Sequence, residues 1–91
     1  MTQPNDAEIK WQAEVISMQS LLSPDHAEYL IQFTNGNSEL LAQCEELANR
    51  GVKVPMITDW LKVKMQLVKF ELPGYQACEE VLKNATENDR P

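Results

Sequence analysis

Apolar residues recur through most of this chain at spacings of three and four positions, which is the period of a helix with one buried stripe. In the N-terminal segment, which Asn5 is predicted to cap, this stripe comprises Trp11, Val15, Met18 and Leu22. A weaker apolar face on the opposite side of the same helix comprises Ile9, Ala13 and Ile16. A helix with two apolar faces is either enclosed between layers or in contact with a partner.

Proline, glycine and capping residues divide this pattern into five helical segments. Ser23-Pro24-Asp25 is the clearest boundary, because serine caps a helix, proline suits its first turn and aspartate favours its positive end. Asn35-Gly36 and Gly51 are predicted to end helices in left-handed conformations, and Pro73-Gly74 breaks the chain again. The predicted helices span residues 5–22, 24–34, 38–50, 55–72 and 74–85, and residues 86–91 form a polar tail.

One stretch fits two kinds of secondary structure. The residues from Leu61 to Leu67 alternate strictly between apolar and polar, as in a half-buried strand. The same residues also belong to a helical stripe, which comprises Met56, Trp60, Val63, Leu67 and Phe70. We expect a helix, because one helical template explains residues 56–72, whereas a strand needs a register break and a partner strand.

Together these elements predict an all-α fold, a compact single-domain bundle of four or five short helices. A chain of 91 residues is long enough for one hydrophobic core and too short for a second. Its 43% hydrophobic and 24% charged residues are typical of a globular protein. No apolar run approaches the length that spans a bilayer, so no membrane association is expected.

The net charge of −6 is distributed unevenly along the chain. Residues 1–49 contain eight acidic residues and one basic residue, whereas residues 50–70 contain five basic residues and one acidic residue. Direct binding of nucleic acid is not expected, because it requires a surplus of lysine and arginine on one face.

Two features indicate a cytoplasmic protein. The first residues contain no basic segment followed by an apolar one, so no secretory signal peptide is predicted. Cys44 and Cys78 each lie within an apolar helical pattern. Two cysteines allow one disulfide, but without an export signal we expect both to be buried thiols in a reducing compartment.

The side chains that commonly carry catalysis are few and scattered. His26, the single histidine, is predicted to lie at the surface in the first turn of its helix. A Cys–His pair is not expected, because both cysteines lie in apolar stripes, where a thiol is inert. The pairs Glu45-Glu46 and Glu79-Glu80 are predicted to be solvated, since adjacent helical side chains diverge. We therefore predict no enzyme, no catalytic, cofactor-binding or metal-ligating residue, and no motif indicates a known family.

Binding to another protein is the function that the pattern favours, because the first and fourth helices carry more apolar surface than one stripe. The predicted function is a small acidic cytoplasmic interaction module: an adaptor, chaperone-like or regulatory protein that binds a protein partner or forms a homodimer. The alternative is an acidic mimic of nucleic acid that occupies a basic groove of a nucleic-acid-binding protein. The predicted partner-binding residues are Trp11, Val15, Met18, Trp60, Lys62, Met65 and Lys69.

Overall fold

The computed structural model describes residues 6–66 and 72–88, with side chains described as far as residue 85. Within these residues the chain forms five α-helices and no strand. The helices are α1 (Asp6–Gln19), α2 (Pro24–Phe33), α3 (Ser38–Asn49), α4 (Val54–Gln66) and α5 (Pro73–Asn88). The predicted all-α fold is confirmed, and the ambiguous stretch is helical as far as it is described. None of these five helices is long and apolar enough to cross a membrane.

Helix boundaries differ from the prediction at several ends. α1 ends at Gln19 rather than at residue 22, because Ser20 and Leu21 form hydrogen bonds that do not continue the helix. The Ser20 hydroxyl donates to the Ile16 carbonyl at 2.7 Å, and the Leu21 amide donates to Oδ1 of Asn49 at 2.9 Å. α4 begins one residue early, and α5 continues to Asn88, so residues 86–88 are helical rather than part of a tail. The predicted cap Asn5 and the predicted helix over residues 67–71 lie outside the described residues.

The predicted stop at the end of α2 is confirmed in detail. Asn35 and Gly36 both have positive φ angles, 55° and 76°. The amide of Gly36 donates to the carbonyl of Ile31 at 2.9 Å, and that of Asn35 donates to Gln32 at 3.3 Å. This pair of bonds satisfies carbonyls that the end of a helix would otherwise leave unpaired. At the other end of α2, the Ser23 hydroxyl caps the helix by accepting from the amide of His26 at 3.2 Å.

Hydrogen bonds also satisfy backbone groups at both ends of α3. The side chain of Asn37 accepts a hydrogen bond from the Leu40 amide at 3.1 Å and so caps the helix. At the C-terminal end, Gly51 has a φ of 91°, as its predicted role as a stop requires. Its amide donates to Ala48 at 3.0 Å, and the Val52 amide donates to Leu47 at 3.0 Å. The chain thereby turns directly from α3 towards α4.

One contiguous hydrophobic core joins the five helices. α1 packs along α2, α4 packs along α5, and α3 contacts both α4 and α5. The largest side chains with essentially no exposed surface are Trp60, Leu30, Ile31, Leu47, Ile57, Leu61, Cys44 and Cys78. They come from α2, α3, α4 and α5, so α1 lies against this core rather than within it.

Two glycine substitutions should shift stability in opposite directions. Gly51→Ala should lower the free energy of unfolding by about 1 kcal/mol, because an L-residue is strained at its positive φ although space is open around it. Gly74→Ala should raise it by about 0.5 kcal/mol, because alanine favours a helix. The added Cβ would meet Met56 at an ordinary 3.5 Å. Urea denaturation followed by circular dichroism measures both, and equal effects of the two changes would contradict this account.

Candidate interaction surface

The outer face of α1 carries three apolar side chains in a row, which we call the α1 ridge: Trp11, Val15 and Met18. Residues four and seven positions apart share one helix face. Trp11 is 66% exposed and Met18 is 79% exposed, and Val15 between them is partly exposed. The core contact of α1 is made by the opposite face, which comprises Ile9, Ala13 and Ile16. The face that looked weaker in the sequence is therefore the buried one. The longer stripe faces outwards at Trp11, Val15 and Met18, whereas its fourth member, Leu22, is buried in the core.

Acidic residues border the α1 ridge on both sides. Glu8 precedes Trp11 by three positions and Glu14 follows it by three, and residues at this spacing are neighbours on a helix surface. Both side chains are exposed. The ridge is thus an apolar strip between carboxylates.

A cleft of about 750 Å³ opens on another part of the surface, and we call it the Tyr29 cleft. It lies between the turn after α1, the helix α2, the loop after α3 and the start of α4. Its apolar lining includes Leu21, Leu22, Tyr29, Val52 and Val54. Leu21 is 76% exposed and Tyr29 is 46% exposed, and the Tyr29 ring packs on Phe33 with ring centroids 5.9 Å apart. The cleft is therefore an open, largely apolar depression.

The polar lining of the Tyr29 cleft is mainly basic. Lys53, Lys62 and His26 line it, together with the single carboxylate of Asp59. Two other basic residues of this part of the chain are paired internally: Arg50 with Glu46 at 3.0 Å and Lys64 with Glu79 at 3.8 Å. Within the described part of the chain neither cleft lysine forms an ion pair. The cleft thus brings together two lysines that form no ion pair in the described part of the chain.

Trp60, one of the predicted partner-binding residues, does not reach the surface of the single chain. Its side chain is completely buried, and its indole N–H donates to Oε2 of Glu79. The Nζ atom of Lys64 lies 5.5 Å from the centroid of the Trp60 ring and 3.8 Å from the same carboxylate oxygen. Burial of the indole requires a hydrogen-bond partner, and Glu79 supplies it. Glu79, predicted to be solvated, therefore holds α5 to α4.

The remaining predicted partner-binding residues do not form one surface. Lys62 lines the Tyr29 cleft, whereas Met65, which is 41% exposed, does not. Lys69 lies outside the described residues. The exposed and described members of the predicted set thus comprise the α1 ridge, Lys62 at the cleft and Met65 outside both.

The sequence analysis missed the apolar side chains of the cleft. Leu21 and Tyr29 belong to neither helical stripe, and a large apolar residue outside a stripe was the available signal. Val52 and Val54 gave no such signal, because they lie just before Pro55, where the sequence predicts an extended connection. The tertiary structure brings these four residues from separate segments of the chain to the lining of one cleft.

The side chains that could carry catalysis do not lie together in the described residues. Cys44 and Cys78 are fully buried free thiols, whereas His26 is exposed at the cleft, so no Cys–His pair forms. Burial raises the pKa of Cys44 to about 12, with Cys78 and Glu45 adding to the effect. Burial, together with Glu79 and Asp59, raises the pKa of Cys78 to about 11. Among the described residues no group of three or more histidines, cysteines and carboxylates is placed to hold a metal ion.

Comparison with other proteins adds no further assignment. The chain matches no protein-family model, no curated protein and no solved structure.

The buried thiols should make the protein less stable as the pH rises above 9. In the unfolded chain a thiol loses its proton near the ordinary pKa of 9.0, whereas Cys44 and Cys78 keep theirs in the folded state to about 12 and about 11. The stabilisation is complete below pH 9 and is lost progressively above it, because the unfolded state then binds fewer protons. Urea denaturation at several pH values between 8 and 10.5 measures this (roughly the range over which free thiols ionise).

The double variant Cys44→Ala/Cys78→Ala is the control for this pH dependence. Its stability should be lower at every pH because two buried side chains are shortened, but the decline above pH 9 should be shallower. Some decline should remain, since burial and Glu79 also raise the pKa of Tyr75. Parallel declines in the two proteins would show that the thiols do not cause it.

Proposed function

We propose that this protein is a small interaction module, of the adaptor, chaperone-like or regulatory kind, that binds a protein partner through the α1 ridge. The supporting observation is the exposure of Trp11 and Met18 on the face of α1 opposite to the core. α1 is already anchored by Ile9, Ala13 and Ile16. The ridge therefore adds little to the fold of the single chain, and an exposed apolar strip of this kind is typical of a binding surface.

The size of the α1 ridge suits a moderate affinity. Burying one large apolar side chain contributes roughly 1.5–3 kcal/mol, and tryptophan is enriched among the residues that dominate binding energies. Three such side chains offset part of the entropy lost on association, which leaves an affinity on the order of micromolar. A reversible adaptor or regulator works in this range.

The charges beside the α1 ridge define the chemistry of its partner. Glu8 and Glu14 lie on the two sides of Trp11. A partner surface with an apolar centre and basic residues at its rim would complement both the ridge and these carboxylates. We propose such a surface as the occupant.

Two other functions have weaker support. A mimic of nucleic acid needs carboxylates in an extended array with little apolar exposure, whereas Met18, Leu21 and Trp11 are each at least 66% exposed here. Catalysis needs converging reactive groups, whereas the two thiols are buried and the histidine is at the surface. Binding accounts for the exposed apolar residues, and neither of the other functions does.

Met18→Glu should weaken binding to the partner at least tenfold, because it replaces an exposed apolar side chain of the ridge with a charge that the contact would have to bury. The partner is first captured from native cells by a photoreactive residue at the exposed position of Ala7, beside the α1 ridge. The captured protein is identified and purified, and its Kd is then measured by calorimetry.

Gln76→Glu is the matched control, because it adds the same charge at an exposed position of α5. It should leave the Kd unchanged, and both variants should keep the stability of the native protein. A Kd that Met18→Glu leaves unchanged would exclude the α1 ridge as the binding surface.

A further inference from the structure

We infer, building on the interaction function proposed above, that the occupant of the α1 ridge is the Tyr29 cleft of a second copy of this chain. Each copy inserts its ridge into the cleft of the other, so two equivalent contacts form. The protein is then a dimer whose two halves are related by a two-fold axis.

The shapes and apolar surfaces of the two features are complementary. The α1 ridge is convex and presents the side chains of Trp11 and Met18. The Tyr29 cleft is an open, concave depression with a volume of about 750 Å³. Leu21 and Tyr29 expose apolar surface there. Contact between the two features would cover Met18, Leu21 and Trp11, the most exposed large apolar side chains among the described residues.

The charges are complementary as well. Glu8 and Glu14 border the α1 ridge, and Lys53 and Lys62 line the Tyr29 cleft without an ion pair in the described part of the chain. The net charge of −6 makes two copies repel one another at most orientations. The basic cleft is the place where the acidic α1 of another copy can approach, so the charges select this orientation.

The contact must form between chains rather than within one. The opposite face of α1 is held in the core by Ile9, Ala13 and Ile16, so the α1 ridge points away from its own molecule. Reaching its own cleft would require α1 to leave α2, along which it packs. A second copy brings an α1 ridge that is already exposed and ordered.

Charge reversal on each side of the contact tests this arrangement. Glu14→Lys places a lysine opposite the basic cleft, and Lys62→Glu places a carboxylate opposite the acidic ridge. Self-association of each variant alone should weaken at least tenfold, because both contacts of the dimer become repulsive. In an equimolar mixture of the two variants both contacts again join opposite charges, so association should return to that of the native protein.

Glu80→Lys and Lys83→Glu are the matched controls, because they make the same charge changes at exposed positions of α5. Each should self-associate nearly as the native protein does, and mixing them should bring no gain. Sedimentation equilibrium over micromolar to millimolar protein concentrations is measured for the native protein, for each variant including Met18→Glu, and for both mixtures. Iodide quenching of fluorescence gives a second readout, since Trp11 is exposed and Trp60 is buried, and association should protect Trp11.

Three results would overturn the inference. A native protein that remains monomeric over the whole range would exclude the dimer. A mixture of Glu14→Lys and Lys62→Glu that associates no better than either variant alone would exclude the pairing of ridge and cleft. Self-association that Met18→Glu abolishes but Lys62→Glu leaves intact would also exclude the cleft as occupant. That last result would keep the α1 ridge as a binding surface, so it separates failure of this inference from failure of the proposed function.

Discussion

α1 can bury only one of its two apolar faces, because it packs mainly along a single neighbour, α2. Ile9, Ala13 and Ile16 make that contact, and the Trp11 face is thereby directed outwards. Exposing two large apolar side chains brings the fold no stability of its own. The proposed binding function and the proposed dimer both follow from this choice of face, since neither would have a surface if Trp11 and Met18 were part of the core.

α4 also has more than one apolar face, but this helix buries them. Its apolar rows exceed one stripe, but α3 and α5 both pack on it, so Ile57, Trp60 and Leu61 are all buried. The indole of Trp60 could enter the core because Glu79 accepts its N–H, and Lys64 compensates the charge of that carboxylate. A surplus of apolar residues therefore indicates a central helix in one case and an exposed surface in the other. The number of neighbouring helices distinguishes the two cases.

The tertiary structure shows where the basic residues of the middle segment lie and which of them are paired. The four basic residues of the middle segment that the structure describes fall into two groups: Arg50 and Lys64 are paired with carboxylates of their own chain, whereas Lys53 and Lys62 line the Tyr29 cleft. Unpaired charges beside exposed apolar side chains can choose between partners by their sign. In a chain with a net charge of −6, such a basic depression stands out from the rest of the surface.

The local sequence alone determined the helical class and most helix ends. Ser23, Asn35 and Gly51 act through hydrogen bonds and backbone angles within a few residues, so their roles could be predicted without knowledge of the fold. Trp11, Val15 and Met18 could be proposed as a contact surface on the same basis, because their spacing alone puts them on one face. The tertiary structure decided which apolar face is buried, why Trp60 is internal and where the Tyr29 cleft lies. These features depend on contacts between distant segments, such as Leu21 with Asn49 and Trp60 with Glu79, and periodicity carries no information about which helices become neighbours.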